Sequence, residues 1–316
     1  MIIDQELREQ FGDRLEENVL LRDFTSIGVG GIADGFFRAE RVDDLVEIVS
    51  FLSRREIPYF ILGGGYNIVV SDVGFPGVVI KNEVRDIVFS AGSAEVIASS
   101  GVEIARLLMD CASRDFGGLE FLFGIPGTIG GAVYGNAGAF GHAIGDFVKS
   151  VTILLPGNKD RETKIIRHSG RWLEFQNRSS KIKEFSRLHP NENKPVILSV
   201  KLQLAQSKKG VILAKMQENF RQKKISQPLE AKSAGCFFLN PGEQKEQSAG
   251  YLLDGAKAKK LHIADAVVSK KHANFVINKN KATAEDIRRL ANLMKDLVRA
   301  KFRTNLEEEI EYVGKW

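Results

Sequence analysis

The sequence predicts an α+β fold, with helices and strands mixed along its 316 residues. Three observations support this. Residues 77–100 are rich in Val and Ile and predict three short strands. Residues 42–55 and 211–224 have the apolar spacing of helices. The run 121–141, FLFGIPGTIGGAVYGNAGAFG, has seven glycines in its last 18 residues, and its apolar anchors indicate ordered backbone and not a linker.

Hydrophobic periodicity and glycine or proline breaks predict the remaining elements in order. We expect helices over 2–19, 42–55, 102–114, 211–224, 247–254 and 283–301, the last with Thr283 as its N-cap. We expect strands at about 33–39, 59–63, 147–155 and 195–205, short strands within 263–277, and a final strand in 306–314. Residues 33–63 predict a β-α-β unit that ends in Gly63-Gly64-Gly65, at the sheet edge where ligands commonly bind.

Composition excludes several classes of protein. The chain is 43% hydrophobic and 27% charged, which suits a sizeable core divided over two or three domains. A net charge of +5, carried by scattered basic residues, does not predict nucleic-acid binding but suits a polyanionic small substrate. The N-terminus has no apolar core of a signal peptide, and no apolar stretch could span a membrane, so we expect a cytoplasmic protein.

The glycine-rich run 121–141 has two interpretations. Glycines remove side chains, so that backbone N–H groups can cradle a phosphate or another ligand. They also let two segments pack closely with no ligand between them. Neither Gly63-Gly64-Gly65 nor Gly28-Val29-Gly30 has the spacing and context of a dinucleotide-binding fingerprint, and a Walker lysine pattern is lacking. A bound phosphate would therefore need another glycine arrangement.

Few side chains offer acid–base chemistry. Cys236 lies between a glycine and an aromatic pair, so it is either a nucleophile or general acid, or a small residue packed under that pair. Cys111 falls within a predicted helix and is expected to be buried and inert. The two cysteines form neither a disulfide framework nor a metal-ligand spacing, so we expect no metal. Local pattern does not choose among the acids of 307–311, and Arg178 carries no signal alone.

Seven segments, in chain order, resemble one family: the UDP-N-acetylenolpyruvoylglucosamine reductases, MurB-type flavoenzymes of bacterial peptidoglycan synthesis. The resemblance runs from about Phe24 to Gly314, nearly the whole chain. Without a long insertion between 180 and 215, the chain resembles the shorter subclass. The matching segments are FTSIGVGGIAD (24–34), LGGGYNIVVSD (62–72), FGIPGTIGGAVYGNAGAFG (123–141), RSS (178–180), SAGCFFLNP (233–241), SKKHANFVIN (269–278) and LEEEIEYVG (306–314).

The resemblance implies an FAD-binding PCMH/VAO-type module of two subdomains and a smaller α+β substrate-binding domain. The first subdomain would be residues 1–80 with the C-terminal strand 304–316, the second 81–206, and the substrate domain 207–303. Noncovalent FAD, NADPH as reductant and a monomeric chain are also implied. The residues implied in FAD binding are Gly63, Gly64, Gly65, Tyr66, Asn67, Gly127, Thr128, Gly130, Gly131, Asn136, Ala137 and Gly138.

The implied reaction reduces the enolpyruvyl ether of UDP-N-acetylglucosamine to UDP-N-acetylmuramate, with hydride from flavin N5. Cys236 occupies the position of the family's catalytic serine and would supply the proton. Arg178 and Glu309 match the family's carboxylate-binding arginine and enol-stabilising glutamate. The implied substrate contacts are Arg221, Lys224 and Asn240. The chain departs from the family pattern at Tyr66, Asn177, Lys260 and Ala264.

Two other functions are compatible with the same motifs. One is a different FAD oxidoreductase of this architecture that acts on another sugar or hydroxy substrate. The other is a non-catalytic protein that binds a flavin or a nucleotide sugar. The combination of Cys236, Arg178 and Glu309 favours the reductase, because only reduction of an enol ether calls for this acid, arginine and glutamate together.

Overall fold

The structure, a computed structural model, describes residues 3, 5–190 and 192–316. Helices are α1 Gln5–Phe11, α2 Val42–Arg54, α3 Ile104–Ala112, α4 Ile129–Tyr134, α5 Lys181–Leu188, α6 Lys209–Ser226, α7 Ala249–Gly255 and α8 Ala284–Phe302. The longer strands are β1 Leu15–Leu20, β2 Ile32–Ala39, β3 Tyr59–Leu62, β5 Phe75–Asn82, β7 Glu95–Ser99, β11 Val148–Leu155, β12 Lys164–Ser169, β13 Val196–Gln203, β15 Ser233–Cys236 and β18 Phe275–Asn278. The shorter strands are β4 Ile68–Val70, β6 Ile87–Phe89, β8 Phe116–Gly117, β9 Gly138–Ala139, β10 His142–Ala143, β14 Ala205–Gln206, β16 His262–Ile263, β17 Ala266–Val268 and β19 Glu311–Val313.

The chain separates into two compact units, each assembled from distant segments. The first comprises Met1–Glu16, Gly35–Gly64 and Gly77–Arg221. The second comprises Glu17–Asp34, Gly65–Pro76 and Gln222–Trp316. Helices and strands occur in both units, which confirms the α+β class. The three-segment division implied by the resemblance stays a prediction.

The first unit contains a five-stranded antiparallel sheet in the order β12–β11–β13–β7–β6. The expected strands at 147–155 and 195–205 are therefore confirmed as neighbours in one sheet. Helix α3 belongs to the core formed with this sheet, and its Leu107 and Leu108 are fully buried. Cys111 is buried in the same core, and burial raises the pKa of its thiol to about 12, as an inert cysteine requires.

A four-stranded sheet has the order β1–β2–β5–β3, with β3 and β5 parallel. The strands of the predicted β-α-β unit lie in this sheet, with β5 between them. Helix α2, which connects β2 to β3, begins where the Asp44 carboxylate accepts the Arg41 N–H at 2.9 Å. Its buried face repeats at the spacing of one side of a helix: Leu45, Ile48, Val49 and Leu52.

The second unit contains an antiparallel sheet in the order β15–β18–β17–β16, with α7 and α8 in its core. Thr283 caps α8 as predicted, because its Oγ1 accepts the Asp286 N–H at 3.0 Å and the Asp286 carboxylate accepts the Thr283 N–H at 3.0 Å. The final strand β19 pairs in parallel with β4. None of the helices in the described part of the chain is long and apolar enough to cross a membrane.

The expected N-terminal helix over 2–19 is wrong in its second half. Helix α1 ends at Phe11, and Leu15–Leu20 is instead the strand β1. Gly12 adopts φ +50°, which continues neither an α-helix nor a strand, so the chain changes conformation there. The part of this prediction that falls on residues 2 and 4 lies outside the described residues.

An ion-pair cluster on the five-stranded sheet predicts how stability depends on pH. Hydrogen bonds from Lys149 and Lys201 hold the pKa of Glu95 at about 2, and Lys201 Nζ lies 2.5 Å from its carboxylate. The pKa of Glu95 in the folded protein lies below its unfolded value of about 4.3. The ion pairs therefore stabilise the fold fully above that pH, and their stabilisation is lost as pH falls towards 2. We therefore expect thermal unfolding of Glu95→Gln to depend less steeply on pH between about 4.5 and 2 than unfolding of the wild type.

The matched control is Glu230→Gln, which neutralises an exposed carboxylate. Its melting temperature should follow the wild-type pH profile across the acid range. Equal acid slopes for Glu95→Gln and the wild type would show that the cluster contributes nothing to stability.

Candidate functional site

Close packing explains some of the glycines in the predicted ligand loops. A Cβ on Gly63 would lie 2.8 Å from Thr128 Oγ1, and one on Gly130 would lie 2.7 Å from the Ser100 side chain. The Gly130 N–H also donates to the Ser100 carbonyl at 2.8 Å. These contacts bring the first glycine loop and the run 121–141 together in the first unit.

Close packing does not explain Gly127 and Gly131. Near Gly127, whose φ is +134°, a Cβ would meet only Ile104 Cδ1 at 3.9 Å, and near Gly131 only Thr128 Oγ1 at 3.6 Å. Thr128 Oγ1 accepts the Gly131 N–H and caps α4. The run therefore presents bare backbone to open space on one side, which a ligand can approach closely.

The Gly63-Gly64-Gly65-Tyr66-Asn67 loop also has backbone donors available. Among the described residues, the N–H groups of Gly64, Gly65 and Tyr66 donate to no other protein atom. Successive unpaired N–H groups form anion-binding concavities. These donors fit the pyrophosphate-containing cofactor that the resemblance implies.

Lys81 on β5 is a residue that the sequence analysis missed. Its Nζ donates to the Gly63 carbonyl, and burial lowers the pKa of this lysine. The cation thus holds the first glycine of the loop in place. A lysine that interrupts the apolar strand VVIKN was the signal that could have identified it, since charged residues are seldom buried without a partner.

The predicted catalytic arginine lies on a tight turn beside the glycine run. Gln176 and Ser179 exchange backbone hydrogen bonds at 3.0 and 3.2 Å, which leaves Arg178 in the turn with φ +54°. Asn136 donates through Nδ2 to the Gln176 carbonyl at 2.8 Å. The Ser180 hydroxyl donates to the Tyr134 carbonyl at 2.7 Å. The structure therefore brings a predicted cofactor residue and Arg178 together in the first unit.

Gly65 and Asn67 belong to the second unit. Gly65 has φ +72°, and its carbonyl accepts hydrogen bonds from the N–H and hydroxyl of Ser26, at 3.0 and 3.2 Å. Asn67 Nδ2 donates to the Glu309 carbonyl at 3.1 Å, and the Glu311 N–H donates to the Asn67 carbonyl at 3.0 Å. Within the second unit, Asn67 is thus joined directly to the C-terminal segment that contains the predicted catalytic glutamate.

Cys236 and Glu309 lie on neighbouring segments of the second unit. The Glu309 N–H donates to the Phe237 carbonyl at 2.9 Å, and the Leu239 N–H donates to the Glu307 carbonyl at 2.9 Å. Cys236 is half-buried, whereas Phe237 is fully buried. Cys236 is therefore not the fully buried small residue that the packing alternative describes, although the two phenylalanines beside it are buried.

The predicted substrate residues are exposed. Arg221 forms two hydrogen bonds with the Glu218 carboxylate, both at 2.8 Å. The Lys224 carbonyl accepts a hydrogen bond from Lys271, which places a second lysine beside it. Asn240 Oδ1 accepts the Ala249 N–H at 3.1 Å, at the start of α7. Lys224, Asn240, Cys236 and Glu309 belong to the second unit, and Arg178 and Arg221 to the first.

Comparison with known proteins identifies the family. The family described as "FAD binding domain" matches residues 33–161, and "UDP-N-acetylenolpyruvoylglucosamine reductase, C-terminal domain" matches residues 227–313. A protein named UDP-N-acetylenolpyruvoylglucosamine reductase from Clostridium novyi (strain NT) is 35% identical over 96% of this chain and 93% of its own length. One of the same name from Protochlamydia amoebophila (strain UWE25) is 36% identical over 95% and 94%.

A solved structure supports the same assignment. The crystal structure of UDP-N-acetylenolpyruvylglucosamine reductase from Thermus caldophilus is 32% identical, with a TM-score of 0.77 over 95% of this chain and 99% of that one. The FAD-binding fold class that the resemblance implied is therefore confirmed. The chain belongs to the UDP-N-acetylenolpyruvoylglucosamine reductase family.

Proposed function

We propose that the chain reduces the enolpyruvyl ether of UDP-N-acetylglucosamine to UDP-N-acetylmuramate, with NADPH as reductant and FAD as cofactor. The observation that carries the proposal is the 2.9 Å hydrogen bond from the Glu309 N–H to the Phe237 carbonyl. It joins the candidate glutamate to the segment that bears the candidate acid Cys236. The substrate and reaction come from the name of relatives that match nearly the whole chain.

FAD, when bound, would supply the hydride chemistry that links NADPH to the vinyl carbon of the ether. We assign its binding to Gly63–Asn67, Gly127–Gly131 and Asn136–Gly138. The open backbone at Gly127 and Gly131 supports this assignment, and so do the available N–H groups of Gly64–Tyr66. Tyr66, which is exposed, replaces the family's serine, so we assign it a backbone contact only.

Cys236 is assigned the proton transfer. Once the vinyl carbon has gained hydride, its neighbouring carbon carries the negative charge of an enolate and must gain one proton. The Cys236 thiol donates that proton, and the resulting thiolate regains a proton from water before the next turnover. A thiol is a much stronger acid than a serine hydroxyl, so it suits the donation of this proton.

Arg178 and Glu309 are assigned to the developing charge on the substrate. The planar guanidinium of Arg178 suits two parallel hydrogen bonds to the substrate carboxylate, which gains charge in the transition state. Its turn is held by Asn136, a residue of the proposed flavin site. Glu309 helps to stabilise the enol form, and its backbone is held by both Asn67 and Phe237.

Lys224 and Asn240 are assigned to the substrate diphosphate. The Lys271 ammonium, which donates to the Lys224 carbonyl, supports this, because it adds positive charge beside this segment. Arg221 is a weaker candidate, since its guanidinium must first release the Glu218 carboxylate. We also propose the three-segment division into domains 1–80 with 304–316, 81–206 and 207–303, for a monomeric, cytoplasmic enzyme.

Half-reaction kinetics test the proposal. The flavin-loaded protein is mixed with NADPH alone, and reduction is followed at 450 nm; the enolpyruvyl ether is then added anaerobically. We expect the ether to reoxidise the flavin with one UDP-N-acetylmuramate formed per flavin. Reduced flavin that the ether does not reoxidise would favour a different flavin oxidoreductase, and protein that does not retain FAD would overturn the proposal altogether.

A further inference from the structure

Asn274, in the segment SKKHANFVIN, has no role in the site as assigned above, yet it is almost completely buried. Its side chain is 2% exposed. Nδ2 donates to the Phe238 carbonyl at 2.8 Å, and Oδ1 accepts the Phe238 N–H at 2.9 Å. One amide thus pairs with both polar groups of a single residue, as a neighbouring strand would.

The main chain of Asn274 extends this contact towards Cys236. Its carbonyl accepts the Phe237 N–H at 2.8 Å. Among the described residues, it is thus Asn274 that bonds residues 237 and 238 along one edge. Along the other edge they meet the C-terminal segment, through the Glu309 bond to Phe237 and the bridge between Phe238 and Glu308.

The backbone just before this double contact is irregular. Pairing of β15 with β18 shifts between Ser233 and Cys236, and Gly235 adopts φ +84°. Such bulges redirect the side chains that follow them. The direction of the Cys236 side chain is therefore not set by a regular ladder on its N-terminal side. It is set by the pairing of Cys236 with Phe275 and by the hydrogen bonds at Phe237 and Phe238 that follow.

We propose that Asn274 is a positioning residue that fixes the Cys236 segment against the Glu309 segment, so that the proton donor and the glutamate keep one relative placement. The inference rests on the proposed function. It depends on the amide carrying a donor and an acceptor at once, which aspartate in its ionised form does not. A displacement of about 1 Å in a reacting group can lower a rate about 10²-fold.

Asn274→Asp tests the inference with little change in volume, and Asn278→Asp is its matched control. Asn278 lies on the same segment and is 3% exposed, and its Nδ2 donates to the Ile27 carbonyl at 3.0 Å. Both variants lose a buried amide donor to backbone carbonyls, which for Asn278 are those of Ile27 and Gly28. The Asn274 side chain bonds Phe238, which follows Cys236, whereas the Asn278 side chain does not. Both variants should unfold at similarly reduced temperatures.

Two readouts separate positioning from general destabilisation. In flavin-loaded Asn274→Asp, NADPH should reduce the flavin at the wild-type rate, but the ether should reoxidise it about 10–100-fold more slowly. In Asn278→Asp, both rates should equal those of the wild type. In apoprotein, iodoacetamide should alkylate Cys236 several-fold faster in Asn274→Asp than in the wild type or Asn278→Asp, because the segment is loosened. Buried Cys111 should not react in any of the folded proteins.

Equal losses in the two variants, or unchanged reoxidation and alkylation in Asn274→Asp, would overturn the positioning role. Failure of the proposed function gives a different result, since wild-type flavin would then not be reoxidised by the ether. The alkylation readout needs neither flavin nor substrate.

Discussion

Cys236→Ala should still accept hydride from NADPH at the wild-type rate, but its reduced flavin should be reoxidised by the enolpyruvyl ether about 10²–10⁴-fold more slowly. The reason is that alanine removes the proton donor and leaves the proposed flavin-binding residues intact. Cys236 is only half-buried, so the truncation leaves no large core cavity. Stopped-flow measurement of the two half-reactions on one preparation checks the prediction.

Cys236→Ser is the matched control, because it restores the hydroxyl that the family carries at this position. Its reoxidation rate should lie well above that of Cys236→Ala. Equal losses in both half-reactions of Cys236→Ala would indicate a damaged site and contradict the role of proton donor. Equal reoxidation by the serine and alanine variants would also contradict it.

Gly65→Ala should lower both flavin retention and the melting temperature. A Cβ at this position would lie 2.0 Å from the Phe24 carbonyl oxygen, and backbone cannot yield as a flexible side chain can. Gly65 also has φ +72°, a conformation that costs a residue with a side chain about 1–2 kcal/mol. The loop must therefore move, and with it the N–H groups assigned to FAD. The absorbance ratio at 450 and 280 nm after gel filtration measures the retained flavin.

Gly92→Ala separates the clash from the backbone cost. Gly92 has φ +73°, almost the same as Gly65, but a Cβ there would meet nothing within 4 Å. Gly92→Ala should be destabilised only by the cost of a positive φ for a residue with a side chain, and it should keep its full flavin content. If the two variants retained flavin equally, the contact with Phe24 would not shape the cofactor loop.

The periodic elements were predictable because their signals are local. Helix α2 and helix α8 carry an apolar face and an acidic residue at the third position, and both begin within a residue of the expected start. Strand β1 was not predictable from the same signals, since the charged residues of Leu15–Leu20 fit a helix equally well and only its place in the sheet decides.

The candidate site was predicted in its residues but not in its connections. By itself the sequence determined the order of the motifs, the inert position of Cys111 and the family. Only the tertiary structure decided that the backbone of the acidic segment 307–309 pairs with residues 237–239 after Cys236, that Asn136 holds the Arg178 turn, and that Lys81 holds Gly63. The physical reason is distance along the chain: Asn67 and Glu309 are 242 residues apart, and a hydrogen bond between such segments exists only once the sheet and core have brought them together.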